Sequence, residues 1–151
     1  MSSHRLHQSS VKSLDIAVND SQIVVATGGD DNALGVTIYE AEGLQREPPK
    51  STILRSAHAA AITGISFMPR SPIKGGEELR IVTSSNDQRV KEWVLSLNRS
   101  DKMNDSALRK LGDVFTSVAD VGDVTTLMNS TQESKKVLVV GNGMEVYEVS
   151  L

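Results

Sequence analysis

Short runs of β-branched and aliphatic residues, broken by glycine, asparagine, aspartate and proline, recur along the chain. The stretch Ile23 to Ile38 reads as strand, tight turn, strand, with Gly28-Gly29-Asp30-Asp31-Asn32 supplying the reversal and the flanking residues suiting a pleated surface. It lines up with Arg80 to Val94, which places Asp31 on Asp87, Thr27 on Thr83 and Thr37 on Trp93. A weaker copy runs from Lys136 to Tyr147, with Gly141 in place of the turn aspartate and Tyr147 in place of the tryptophan. Ahead of each copy lies a further expected strand: Val11 to Ile16, Ile62 to Met68 and Gly122 to Met128, led into by His7, His58 and Asp120. Ser51 to Arg55 and Asp113 to Val118 are expected as outer strands, leaving the last unit one strand short. Between these runs, Ala41 to Lys50, Pro69 to Glu78 and Asn98 to Lys110 read as loops, the last with a short helix expected over Ala107 to Lys110.

Self-similarity at this period changes the whole fold expectation. Asp87 and Trp93 stand six apart, with Ala57-His58 upstream and strand-like segments between, and that arrangement resembles the skeleton of a WD repeat. A WD repeat is one blade of a β-propeller, so the expected class is all-β, with four-stranded antiparallel blades. The expected units cover about 7–56, 57–118 and, incompletely, 119–151. The resemblance to a WD repeat implies one hydrogen-bonded network of His58, Thr83, Asp87 and Trp93, in which an imidazole is useful because it can donate to a carboxylate through one nitrogen and accept from a hydroxyl through the other. His7, Thr27 and Asp31 are expected to form a second, left incomplete by Thr37 at the tryptophan position. Propellers close with roughly four to eight blades, so three would leave faces and edges uncovered. The expectation is a piece of a longer chain, a truncated gene, or a protein that completes its ring by association.

Composition narrows the chemistry. Of 151 residues 38% are apolar and only 3% aromatic, so a core would rest on aliphatic side chains. There is no cysteine, which excludes disulfides, thiolate metal sites and a thiol nucleophile. No window approaches the roughly 20 apolar residues of a membrane-spanning helix and the first residues lack a signal-peptide core, so a cytoplasmic protein without membrane contact is expected. A net charge of −3 with scattered basic residues gives no footprint for autonomous polyanion binding. A His, an Asp and a hydroxyl also describe a hydrolytic triad, but strand positions offer no exposed nucleophile or oxyanion donors. Asp30-Asp31 reads as a turn rather than a metal pair, and Gly141-Asn142-Gly143 lacks the third glycine and the helix of a dinucleotide site. No catalytic residue, metal, cofactor or small-molecule substrate is expected.

Six phrases stand out: His7-Gln8-Ser9-Ser10-Val11-Lys12-Ser13-Leu14, Gly28-Gly29-Asp30-Asp31, Ala57-His58-Ala59-Ala60-Ala61-Ile62-Thr63-Gly64, Ser85-Asn86-Asp87-Gln88-Arg89, Val118-Ala119-Asp120-Val121-Gly122-Asp123-Val124 and Gly141-Asn142-Gly143-Met144-Glu145-Val146-Tyr147. Together they resemble one family, the WD-repeat accessory subunits of tRNA 2′-O-ribose methyltransferases (WD-repeat protein six and its fungal counterparts). The last two depart most from the generic repeat and carry the resemblance best. It implies a non-catalytic scaffold that binds a partner methyltransferase and presents tRNA, touching tRNA indirectly, so that the anticodon wobble nucleotide reaches the partner's active site. The alternative expectation, which the repeat supports equally, is a generic WD-repeat adaptor between proteins.

Overall fold

The described residues form ten strands and no α-helix, and the middle strands, such as Leu34–Glu40 and Glu78–Ser85, are buried on both faces over most of their length. The computed structural model describes residues 5–18, 21–40, 48–69, 78–97, 107–128 and 135–149. Strands β1 (Val11–Val18), β2 (Gln22–Gly29), β3 (Leu34–Glu40) and β4 (Lys50–Leu54) form one antiparallel sheet in chain order. Strands β5 (Ile62–Phe67), β6 (Glu78–Ser85), β7 (Arg89–Ser96) and β8 (Leu108–Phe115) form a second of the same order. In both, the β-turn between the second and third strands closes with a backbone bond, Asn32 N–H to Gly29 O at 3.1 Å and Gln88 N–H to Ser85 O at 3.1 Å. Asn32 and Gln88 then take left-handed φ values of 62° and 59°, which sets the chain back along the sheet.

The third sheet contains β9 (Ala119–Met128) and β10 (Lys135–Val149), paired from Lys135↔Met128 to Val140↔Asp123. Straight, the 12 residue steps from Lys136 to Glu148 would cover about 40 Å. Lys136 Nζ lies 3.8 Å from Glu148 Oε1, so β10 folds back on itself. The reversal falls at Gly141-Asn142-Gly143, where Gly143 has φ +129°, a conformation only glycine adopts readily. The molecule is thus all-β, with three antiparallel sheets of three or four extended segments.

Because side chains alternate across a strand, each sheet offers two faces. The forward face of the first sheet (Val24, Ala26, Leu34, Val36, Ile38) meets Ile62, Ile65, Ile81, Trp93 and Leu95 of the second. The opposite face of the second (Met68, Val82, Val90) meets Val121, Val124, Val137 and Val139 of the third. Two glycines let the sheets approach. A Cβ on Gly28 would collide with the Ile62 side chain, and one on Gly64 would collide with the Val124 backbone nitrogen and lie 2.6 Å from Ser84 Oγ.

Three sequence expectations are corrected. The outer strand of the second unit is Leu108–Phe115, not Asp113 to Val118, and Leu108 to Lys110 are strand rather than helix. Leu108 pairs with Leu95 and is buried in the first core, whereas so short a helix would leave its own backbone groups unpaired. The third inner strand begins at Ala119, so Asp120 lies inside it, exposed and at φ 47°, and does not lead into it. Of the expected loops, 41–47, 70–77 and 98–106 lie outside the described residues.

Gly64→Ala is expected to destabilise the fold by roughly 1–3 kcal/mol, since the opposing atom is backbone and cannot turn aside. Gly112→Ala, where the nearest atom is an ordinary 3.6 Å away, should change stability by less than about 0.5 kcal/mol. Urea unfolding of both variants measures the contrast.

Candidate functional site

The inner strand of the second sheet begins just after His58, and the turn between β6 and β7 carries Asp87 back over it. His58 Nδ1 lies 3.0 Å from Asp87 Oδ2, and the same oxygen accepts the Ala59 backbone N–H at 2.8 Å. The carboxylate can only accept, so the ring donates through Nδ1 and its Nε2 accepts the Thr83 hydroxyl at 2.8 Å. Trp93 Nε1–H donates to the Thr83 oxygen at 2.9 Å, closing the chain of bonds. Asp87 Oδ1 also accepts the Arg89 N–H at 2.9 Å, which holds the turn itself. His58, Thr83 and Trp93 are buried. The structure therefore brings all four expected residues of this unit together.

The first sheet repeats the arrangement. His7 Nδ1 lies 2.9 Å from Asp31 Oδ1, His7 Nε2 lies 2.9 Å from Thr27 Oγ1, and Asp31 Oδ2 accepts the Gln8 N–H at 2.8 Å. At the tryptophan position stands Thr37, whose hydroxyl accepts from Ser51 at 3.2 Å. Asp30 points elsewhere, to Lys12 at 3.3 Å, so Asp30 and Asp31 do not form a shared carboxylate pair.

The third sheet solves the same problem with different residues, and sequence reasoning missed them. Thr116 donates its N–H to Gln88 O at 2.9 Å, just as His58 donates to Asn32 O at 3.2 Å, which puts Thr116 at the histidine position. Its hydroxyl donates to Glu145 Oε2 at 2.8 Å, and the Ser117 N–H donates to the same carboxylate at 3.2 Å. The Ser117 and Tyr147 hydroxyls bond to it as well. Gly141-Asn142-Gly143 at the reversal carries no carboxylate, and the acceptor comes from the returning arm of β10. The signal was present in the closing Glu145-Val146-Tyr147 and in the hydroxyl pair Thr116-Ser117, but the repeat alignment looked for an aspartate in the turn.

Burial pushes the His58 ring below its ordinary value of 6.5, against the pull of Asp87, so the ring is neutral near pH 7. Burial alone would raise Asp87, but the Ala59 N–H and His58 outweigh it and hold the carboxyl below 3.8. Asp31 is lowered in the same way, with His7 and the Gln8 N–H overcoming burial. Hydrogen bonds from Ser117, Tyr147 and Thr116 hold Glu145 down to about 2.

Chemically the arrangement fastens strands. The Thr83 hydroxyl is fully buried and engaged by both His58 and Trp93, so it has no path to an external carbonyl. A cleft of about 300 Å³ between the second and third sheets is lined by Met68, Val82, Val90, Val137, Tyr147 and Val149, away from His58 and Asp87. No cluster of three metal-ligating side chains occurs among the described residues, and no described helix is long and apolar enough to cross a membrane. No protein-family model matches the chain, and no curated protein matches it.

His58→Ala and Asp87→Ala should each lower stability by roughly 1–3 kcal/mol, because the partner is left buried and unsatisfied. His7→Ala should cost less, since its network lacks the indole donor. Chemical unfolding of the three variants ranks them.

The pH dependence has a definite sign. A histidine whose folded value is depressed leaves the unfolded chain binding more protons just below 6.5, so stability rises with pH there and is complete above it. Asp31 and Asp87, depressed below 3.8, contribute above that value and lose their contribution as pH falls through their folded values. The melting temperature should be flat between about pH 7 and 8, decline below about 6.5, and decline again below about 4. Replacing His58 with Gln should shrink the first decline; scanning calorimetry across this range reads both.

Proposed function

We propose that the three sheets are successive WD-type propeller blades and that the chain is a non-catalytic scaffold, one that holds a tRNA 2′-O-ribose methyltransferase to its substrate. The observation that carries this reading is the His58, Asp87, Thr83 and Trp93 network, which fastens the inner strand of a four-stranded sheet to its own turn and recurs around His7. The function within that class rests on the resemblance of the sequence phrases. Two of the more distinctive residues in them, Glu145 and Tyr147, meet at the lead-in of the third sheet. On this reading the buried networks make a rigid support, and methyl transfer belongs to the partner.

Affinity capture of the tagged chain from its native cell, with and without ribonuclease, tests the proposal. The expected result is a methyltransferase retained in both cases, tRNA retained only without ribonuclease, and loss of wobble-nucleotide ribose methylation when the gene is removed. Capture of other proteins with neither methyltransferase nor tRNA would make the chain a general adaptor instead.

A further inference from the structure

Strand β8 carries one residue more than the length of β7 it pairs with. Glu92 pairs with Gly112 and Trp93 with Lys110, so Leu111 is left over as a bulge. Without the bulge, Lys110 and Asp113 would point to opposite sides of the sheet, because side chains alternate along a strand. With it, both stand on the side that carries Lys91 and Trp93, and Lys110 Nζ lies 3.1 Å from Asp113 Oδ2. Arg89 alternates onto the same side. Its Nε lies 3.2 Å from Asp113 Oδ1, and Lys91 Nζ lies 3.9 Å from Oδ2.

Three cations from two strands thus gather round one carboxylate, though they are spread out in sequence. Asp87, on the adjoining turn, is already engaged by His58 and by the Ala59 and Arg89 N–H groups, which leaves positive charge in excess. The Lys91 side chain is only 13% exposed and donates to the Ala57 carbonyl at 2.7 Å. Those of Arg89 and Lys110 are 44% and 49% exposed, so these two can turn to a ligand. Phe115 is the cross-strand partner of Arg89, which puts its side chain next to that of Arg89 on the same side, and it is 59% exposed.

An open aromatic ring beside clustered cations suits a single nucleic-acid strand, whose phosphate pairs with the cations while a base stacks on the ring. An acidic peptide fits less well. It would engage a sheet edge most readily by adding a strand, and β8 resists that because the Leu111 bulge interrupts the ladder and Arg109 and Lys110 charge the edge. A duplex keeps its bases stacked, out of reach of the ring.

We propose that this side of the second sheet's outer edge binds single-stranded RNA directly, with a backbone phosphate between Arg89 and Lys110 and a base on Phe115. The inference deepens the scaffold reading and rests on it for the choice of RNA, and it assigns to the chain itself a contact that the resemblance implies only indirectly.

Fluorescence anisotropy of the purified 151-residue chain with a labelled single-stranded RNA of about 12 nucleotides tests it. Binding is expected at low salt, with log K falling against log salt at a slope of about −1 to −2. The double variant Arg89→Gln/Lys110→Gln should weaken binding at least about tenfold. Phe115→Leu, which keeps apolar bulk without the ring, should weaken it about fivefold or more, and should leave binding of a duplex of the same sequence unchanged. Absence of binding at low salt would overturn the proposal, as would binding that is indifferent to the double variant or to Phe115→Leu. So would a glutamate-rich peptide that binds as tightly as the RNA, since the patch would then serve an acidic protein segment. Circular dichroism should be unchanged throughout; if the double variant fails to fold, Lys110→Gln alone gives the comparison, with a loss of about threefold. The scaffold reading fails separately, if no methyltransferase accompanies the chain captured from cells.

Discussion

The rest of this structure depends on fastening the start of each inner strand to the turn between the next two strands. That junction lies where sheets stack, so the polar side chains at it, His7 in the first sheet and His58, Thr83 and Trp93 in the second, are withdrawn from water and need partners. A carboxylate meets the need because it accepts several bonds at once. Asp87 takes the Ala59 and Arg89 N–H groups together with the His58 ring, and Asp31 does the same with Gln8, Ala33 and His7. The histidine adds reach, since its second nitrogen carries the connection on to a threonine on the neighbouring strand. Burial alone would favour a protonated carboxyl, and the directed donors overcome it.

The same junction also ties one sheet to the next. The carbonyls of Asn32 and Gln88, turned outward by their left-handed backbone, accept the N–H of His58 and of Thr116. Gly28 and Gly64 remove the side chains that would hold the sheets apart. Spacing, orientation and hydrogen bonding therefore repeat together, and this makes the stack continuable beyond its last sheet.

The third sheet shows that the constraint is physical rather than a matter of particular residues. Its reversal is built from glycines and carries no acid, yet the Ser117 N–H still needs an acceptor. Glu145 supplies it from the strand, with Thr116 in place of the histidine and Tyr147 closing the group. A half-buried carboxylate receiving this many donors is held strongly ionised, while the buried His58 ring is held neutral. Both outcomes follow from which charge state the local donors and solvent access favour.

Much of the fold was legible because two-residue periodicity, turn chemistry and repetition are local and redundant. The strand, turn, strand units around Asp31 and Asp87 and the inner strands beginning near Val11 and Ile62 could be located from pattern and spacing, and the residues of the His7 and His58 networks from the resemblance of that spacing to a WD repeat. Where signals were weak or non-local, sequence could not decide. Leu108 to Lys110 lack a strong pattern, and they are strand because the free edge of β7 and a space beside Leu95 and Leu97 were waiting for them. Glu145 looked like an ordinary strand residue, since nothing near it in sequence reveals that Thr116 and Ser117 come within reach. The sequence by itself determined an all-β chain of repeated units, since side-chain alternation and turn propensity act over a few residues. Only the tertiary structure decided which carboxylate serves the third sheet and where β8 begins, because those depend on groups far apart in the chain meeting across a sheet boundary.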